Sequence, residues 1–116
     1  MFRRALSTSL RQTLDSLVSG NRVLVFMKGS PAAPQCGFSK AVCQVLELQG
    51  VHSYKSIDVL QDPELRQGLK EYSQWPTIPQ VYVGGDFVGG TDILVKMHQS
   101  GELGTLLERQ SIIKPS

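Results

Sequence analysis

The sequence has few cysteines, few charged residues and no long hydrophobic run. Two of its 116 residues are cysteines, too few for a disulfide-stapled secreted scaffold or for a zinc site made of cysteine alone. The longest unbroken apolar run is Val23–Met27, whereas a transmembrane helix requires roughly 18 apolar residues. We therefore expect an intracellular or organellar protein without membrane insertion.

Acidic residues are missing from the beginning of the chain. Arg3, Arg4 and Arg11 all precede the first acid, Asp15, which leaves nine basic against ten acidic residues in the rest of the sequence. No basic cluster follows Arg11, so we expect no nucleic-acid binding. A length of 116 residues with 41% hydrophobic composition is typical of one compact domain.

The first residues have the composition of an organelle transit peptide: two arginines, three hydroxyl residues and no acid. On a helix, Phe2, Leu6 and Leu10 would share one face. We predict a transit peptide over residues 1–9, a domain over residues 10–110 and a C-terminal tail over residues 111–116. The mitochondrial matrix is the predicted compartment, with the plastid as an alternative. A different interpretation is that these residues begin the first helix of the domain.

Hydrophobic spacing and turn residues predict five elements in the first two thirds of the chain. Val23–Met27 is typical of a strand buried on both faces, and a strand, crossover helix and strand imply a right-handed parallel unit. The predicted elements are a helix over residues 10–19, a strand over 23–27, a helix over 36–49, a strand over 54–59 and a helix opened by Asp62-Pro63-Glu64. A loop over 28–35 is expected between the first strand and the second helix.

The last third of the chain predicts a β-hairpin and two helices. Two short strands, 79–83 and 86–88, flank Gly84-Gly85, a two-residue turn signal. Helices are expected over residues 92–100 and 102–110. The fold class is therefore α/β, with a small four-stranded mixed sheet flanked by helices.

Cys36 is the main candidate for chemistry. It stands where a loop containing Pro34 meets a predicted helix, among the unpaired N–H groups of the helix start. These groups, and the charge of Lys28, favour a thiolate that can act as a nucleophile or a metal ligand. The alternative is an inert buried cysteine.

Cys43 cannot form a disulfide with Cys36 within a folded helix. The two are seven residues apart, so their α-carbons would be separated by about 10.5 Å, and a disulfide spans at most about 7 Å. Cys43 is predicted to be a small apolar packing residue. Ser39, not a cysteine, follows Cys36 by three positions, so the C-x-x-C redox pair is absent.

Four motifs resemble those of the monothiol glutaredoxins. They are the CGFS sequence at 36–39, Lys28, the WPTIP sequence at 75–79 and the GGTD sequence at 89–92. The resemblance covers about residues 10–110 and is closest to the single-domain mitochondrial type. It implies a thioredoxin-like fold with a cis peptide before Pro79, a glutathione site beside the cysteine and a bridging 2Fe-2S cluster.

The resemblance also implies roles for individual residues. Cys36 would be the catalytic thiol and the cluster ligand. Ile78 would pair its backbone with that of glutathione. Some relatives carry cysteine where this chain has Thr91, which puts disulfide chemistry at that position in doubt. The residues that would bind glutathione are Lys28, Arg66, Ile78, Thr91 and Asp92.

Cluster carriage is the function that the resemblance implies. A 2Fe-2S cluster commonly takes four thiolates, and one chain offers one, so two subunits and two glutathiones would complete the set in a homodimer. The protein would accept the cluster from an iron-sulfur scaffold and deliver it to apo-protein recipients. A BolA-type protein is a further compatible partner. The alternative function is glutathione-dependent thiol–disulfide exchange, or deglutathionylation, at Cys36.

Overall fold

The computed structural model describes residues 6–115, which form a four-stranded mixed sheet with helices on both faces. In chain order the elements are α1 (Thr8–Gly20), β1 (Val23–Met27), β2 (Gly29–Ser30), β3 (Ala33–Pro34), α2 (Gly37–Leu48), β4 (Lys55–Asp58), a 3₁₀ turn (Val59–Gln61), α3 (Pro63–Ser73), β5 (Gln80–Val83), β6 (Asp86–Gly89), α4 (Thr91–Ser100) and α5 (Glu102–Arg109). The strand order in the sheet is β4-β1-β5-β6.

Strand β1 lies at the centre of the sheet. It runs parallel to β4 and antiparallel to β5, and all five of its residues are buried. Successive side chains point to opposite faces of a strand. Val25 therefore packs in the core under α2, α4 and α5, while Leu24 and Phe26 pack in the core under α1 and α3. The prediction of a strand buried on both faces is confirmed.

Helix α1 begins at Thr8, two residues before the predicted start. Ser7 caps it, accepting a hydrogen bond from Leu10 N–H at 3.1 Å. Leu6 is buried, and its N–H donates to a Glu71 carboxylate oxygen at 3.0 Å. Of the predicted transit peptide, residues 1–5 lie outside the described residues. The helix begins earlier than predicted because Ser7 caps it and Leu6, just before the cap, is buried in the core.

The segment 28–35 was wrongly predicted to be a loop throughout. It contains a small hairpin in which Gly29 pairs with Pro34 and Ser30 with Ala33. Gly29 has a φ of +87°, a conformation that favours glycine. Proline has no N–H to extend a ladder, so the hairpin stops at Pro34, two residues before Cys36.

The predicted fold class is confirmed: the sheet has four strands, is mixed and is flanked by helices. The Ile78–Pro79 peptide bond is cis, as the resemblance implied. Within residues 6–115, no helix combines the length and the hydropathy needed to cross a membrane.

Candidate functional site

Cys36 is the N-cap of α2. Its sulfur accepts a hydrogen bond from Ser39 N–H at 3.4 Å and lies 3.3 Å from Ser39 Oγ. Ser39 is fully buried, so its hydroxyl must find its partners inside the protein. The thiol itself is partly exposed. The cysteine that the sequence singled out therefore sits at a helix start, with donors directed at its sulfur.

The surroundings of Cys36 lower the pKa of its thiol. Burial alone would raise this pKa, but hydrogen bonds from the Ser39 hydroxyl and from the backbone N–H groups of Ser39 and Phe38, together with the charge of Lys28, outweigh burial. Each of these interactions favours the charged form of the sulfur. The predicted enrichment in thiolate is thus supported by identified donors.

The loop before Cys36 is fixed by two hydrogen bonds at its base. Lys28 N–H donates to Ser39 Oγ at 3.1 Å, and Gly29 N–H donates to Asp58 Oδ1 at 2.9 Å. The Gly29 N–H is the main cause that holds the pKa of Asp58 below its usual range, with further hydrogen bonds from Leu60 and Gln61. Sequence reasoning did not identify Asp58, because its partner lies 29 residues away in the chain.

A cavity of about 420 Å³ brings together all five residues that were assigned to glutathione. It falls within the usual size of small-molecule sites. Cys36 does not line the cavity, but Phe38, two residues further along the chain, and Lys28, whose backbone N–H is bonded to Ser39 Oγ, both do. Cys36 is therefore a close neighbour of residues in the cavity wall. The predicted residues in the wall are Lys28, Arg66, Ile78, Thr91 and Asp92.

Among residues 6–115, three cations line this cavity, one more than was predicted from the sequence. Lys70 joins Lys28 and Arg66 in the wall. Arg66 and Lys70 are four residues apart on α3, so they share one face of the helix, a spacing that could have identified Lys70. Asp92, in the first turn of α4, supplies an acidic group in the same wall. The cavity thus suits a zwitterionic ligand with more than one carboxylate.

The segment between α3 and β5 presents free backbone groups to the cavity. All of residues 75–79 line it. Within the described part of the chain, neither Thr77 nor Ile78 forms a backbone–backbone hydrogen bond. The Thr77 carbonyl oxygen accepts from the Gln80 side chain, whereas the N–H and C=O of Ile78 have no hydrogen-bond partner among residues 6–115 and can pair with an extended peptide as an added strand. The role implied for the Ile78 backbone is compatible with this arrangement.

Thr91 has a contact that the sequence did not predict. Its hydroxyl donates to the Phe38 carbonyl oxygen at 3.1 Å, which ties the start of α4 to the start of α2. Gly90 caps α4 without a side-chain hydrogen bond, and the first N–H groups of a helix are a favourable place for a carboxylate. Because its one hydroxyl proton is engaged with Phe38, Thr91 can meet a ligand through its backbone N–H as a donor or through Oγ1 as an acceptor.

Two aromatic residues belong to the cavity wall. Phe38 is 64% exposed and Trp75 packs against Phe87 at a centroid distance of 5.6 Å. A Cβ added to Gly90 would lie 3.3 Å from Trp75 Nε1, so glycine allows the tryptophan and the helix start to approach closely. Phe38 and Trp75 therefore supply apolar surface to the cavity wall.

Cys43 lies away from the cavity. Its sulfur is 3.8 Å from that of Met27, and it lines a separate groove with Tyr54. Cys36 is therefore the one thiol at the cavity. Among residues 6–115, no group of three or more His, Cys, Asp or Glu side chains is placed to hold a metal ion.

Comparison with known proteins identifies the family. The glutaredoxin family profile matches residues 23–88, which include β1 to β5, α2, α3 and all but the last residue of β6. An uncharacterised monothiol glutaredoxin of Synechocystis is 57% identical over 95 residues, 82% of this chain and 88% of that protein. The mitochondrial glutaredoxin-related protein 5 of Danio rerio is 52% identical over 106 residues, 91% of this chain and 68% of that protein. This chain belongs to the monothiol glutaredoxins.

Solved structures agree with this assignment. The solution structure of a reduced, apo glutaredoxin from poplar superposes with a TM-score of 0.78 at 46% identity, covering 94% of this chain and 99% of that one. A buckwheat glutaredoxin in complex with glutathione superposes with a TM-score of 0.79 at 26% identity, covering 90% and 93%. The thioredoxin-like fold of glutaredoxins is therefore the fold of this chain.

Proposed function

We propose that this monothiol glutaredoxin holds a 2Fe-2S cluster between two copies of itself and passes it to apo-proteins. The observation that carries the proposal is a single thiol, Cys36, whose pKa is lowered and which neighbours the wall of a cavity of about 420 Å³. The second cysteine of the chain lies in a different groove. A 2Fe-2S cluster commonly takes four thiolates. Two subunits would supply one each, so two ligand positions would have to be filled from outside the protein.

Glutathione is the proposed source of the two missing thiolates. The cavity wall offers cations for its carboxylates in Lys28, Arg66 and Lys70, and an acid for its amine in Asp92. The unpaired backbone of Ile78 can pair with the tripeptide backbone. A glutathione bound in this way would have its cysteine near Cys36, where a shared cluster can be held by both sulfurs.

The cluster is proposed as cargo because half of its ligands would be exchangeable. Bound glutathione can leave, whereas four cysteines of one chain would hold the metal permanently. We propose an iron-sulfur scaffold as the donor, apo-proteins as recipients and a BolA-type protein as a further partner.

For the compartment we propose the mitochondrial matrix, with residues 1–9 as the leader. Several relatives have mitochondrial names, while others are chloroplastic or cyanobacterial.

Reconstitution with iron, sulfide and glutathione tests the proposal. The wild-type protein should develop a visible chromophore and the mass of a dimer, only when glutathione is present. Cys36→Ser should lose both, whereas Cys43→Ser, a matched loss of a thiol outside the cavity, should retain both. Iron retained by Cys36→Ser, or a chromophore that forms without glutathione, would contradict the proposal.

The lowered pKa of Cys36 favours deglutathionylation as a second candidate. The Cys36 thiolate would attack the glutathione sulfur of a mixed disulfide between glutathione and a substrate protein. The substrate protein would leave as a thiolate, and Cys36 would remain bonded to glutathione. A free glutathione would then reduce this bond and form glutathione disulfide. Rapid turnover of a glutathione mixed disulfide by a colourless monomer would favour this function over carriage.

A further inference from the structure

The side chain of Gln80 is a buried polar group placed directly behind the glutathione-facing segment. Gln80 is the first residue of β5, pairs with Phe26 on β1 and is fully buried. Buried glutamine is uncommon in a sheet core, since a buried polar group is costly unless it is hydrogen-bonded. Its contacts therefore indicate what it stabilises.

The amide nitrogen of Gln80 donates to two carbonyl oxygens of the same segment. Nε2 lies 3.1 Å from the carbonyl oxygen of Trp75 and 3.3 Å from that of Thr77. Only the NH₂ end of an amide can donate twice, so these two acceptors fix its orientation. The amide oxygen, Oε1, is buried without a hydrogen-bond partner among the described residues.

These contacts act on backbone that has few other restraints. Residues 75–79 belong to no helix or strand, and Thr77 and Ile78 form no backbone–backbone hydrogen bond within residues 6–115. The two carbonyls that Gln80 binds stand on the N-terminal side of Ile78. Because Gln80 restrains the chain just before Ile78, it restrains the position of the Ile78 N–H and C=O groups that a ligand would meet.

We propose that Gln80 is a positioning residue that holds residues 75–79 in the shape that binds glutathione, and that it sets glutathione affinity without affecting Cys36. The inference rests on the proposed glutathione site. Preorganising a binding segment strengthens binding by removing the cost of ordering it. Cys36 receives its hydrogen bonds from Ser39 and Phe38, on a different element, so its reactivity should not depend on Gln80.

Gln80→Met tests the role, because methionine keeps the length of the side chain and removes both donors. It also removes the unpartnered Oε1, which favours folding of the variant. Gln49→Met is the control: it loses a glutamine amide bonded to His98 at 2.7 Å, away from the cavity. In an NMR titration with reduced glutathione, Gln80→Met should raise Kd about fivefold or more, and Gln49→Met should leave it unchanged.

Two readouts separate positioning from general destabilisation. Trp75 is the single tryptophan of the chain, so quenching of its fluorescence by acrylamide should increase in Gln80→Met and not in Gln49→Met. The pH profile of Cys36 alkylation should match that of the wild type. A Kd and a Trp75 quenching equal to those of the wild type would overturn the proposal, as would a shift of the Cys36 profile.

A measurement on the unmodified protein keeps the test independent of folding of the variant. The Gln80 side-chain amide protons should exchange with water much more slowly than those of Gln44, which is exposed. Equal exchange rates would overturn the proposal. If the wild type bound no glutathione, the proposed function would fail, whereas slow amide exchange and the Trp75 result would still establish that Gln80 holds the segment.

Discussion

Ser39 Oγ lies 3.3 Å from Cys36 Sγ and also accepts the backbone N–H of Lys28 at 3.1 Å. The Lys28 N–H uses a lone pair of the Ser39 hydroxyl and not its proton, so the proton can still be donated to the sulfur. A serine at this position therefore does two things that a cysteine would do less well: it anchors the loop and stabilises a thiolate.

Ser39→Ala should raise the pKa of Cys36 by removing a donor to its charged form. The thiolate fraction at neutral pH then falls, and alkylation by iodoacetamide should slow about tenfold. The measurement is the alkylation rate as a function of pH. Ser30→Ala, which loses an exposed hydroxyl that accepts from Ala33 N–H, is the control. An unchanged profile in Ser39→Ala would show that the hydroxyl does not stabilise the thiolate.

Asp58→Asn should reduce stability at neutral pH and have less effect in acid. The folded-state pKa of Asp58 is lowered, chiefly by Gly29 N–H, so its contribution is present above the unfolded pKa of about 3.9 and is lost as the pH falls through the folded pKa. Urea midpoints at pH 7 and pH 3 check this. Asp86→Asn, in the opposite edge strand, is the control, and a difference that did not shrink in acid would contradict the prediction.

Gly29→Ala should destabilise the protein more than Gly50→Ala. Both glycines have φ near +85°, but a Cβ on Gly29 would lie 2.5 Å from the Ala33 carbonyl oxygen, whereas one on Gly50 meets no atom within 4 Å. Gly50→Ala should cost about 1–2 kcal/mol from conformation alone, and Gly29→Ala about 1–3 kcal/mol more from the clash. Urea unfolding measures the free energy of unfolding of both variants. Equal losses would show that the hairpin shifts to relieve the clash without losing stability.

Lys70→Gln should weaken glutathione binding about fivefold, in line with the loss of one charge-assisted contact. The loss should diminish at high salt, because exposed charge pairs are screened. Lys55→Gln, which removes a lysine from strand β4 outside the cavity wall, should bind like the wild type. Equal affinity of the wild type and Lys70→Gln at low salt would show that Lys70 does not contribute to glutathione binding.

Most elements of the fold could be predicted because they depend on local patterns. Val23–Met27 and the Gly84-Gly85 hairpin both stand where hydrophobic spacing and turn residues put them. The start of α1 was misplaced because Leu6 is buried against residues far away in the sequence. The β2–β3 hairpin was missed because its strands are two residues long, too short for any periodicity.

The site was predictable where residue type and position were enough. Cys36 could be recognised from its junction with a helix. Asp58, Gln80 and the hydroxyl of Thr91 could not, because each acts through a hydrogen bond to a backbone group of another element or segment. A sequence shows which side chains are present, whereas such contacts exist only after the sheet has assembled.

The N-cap position of Cys36 has a consequence for loading. The Cys36 sulfur accepts Ser39 N–H with one lone pair and keeps others for a metal or a second sulfur, so a bound ligand would draw electron density from the atom that closes the first helical turn. Each arrival and departure at the sulfur should change the protection of that amide against solvent exchange. Exchange of the Ser39 amide proton would thus report whether the proposed ligand is bound at Cys36.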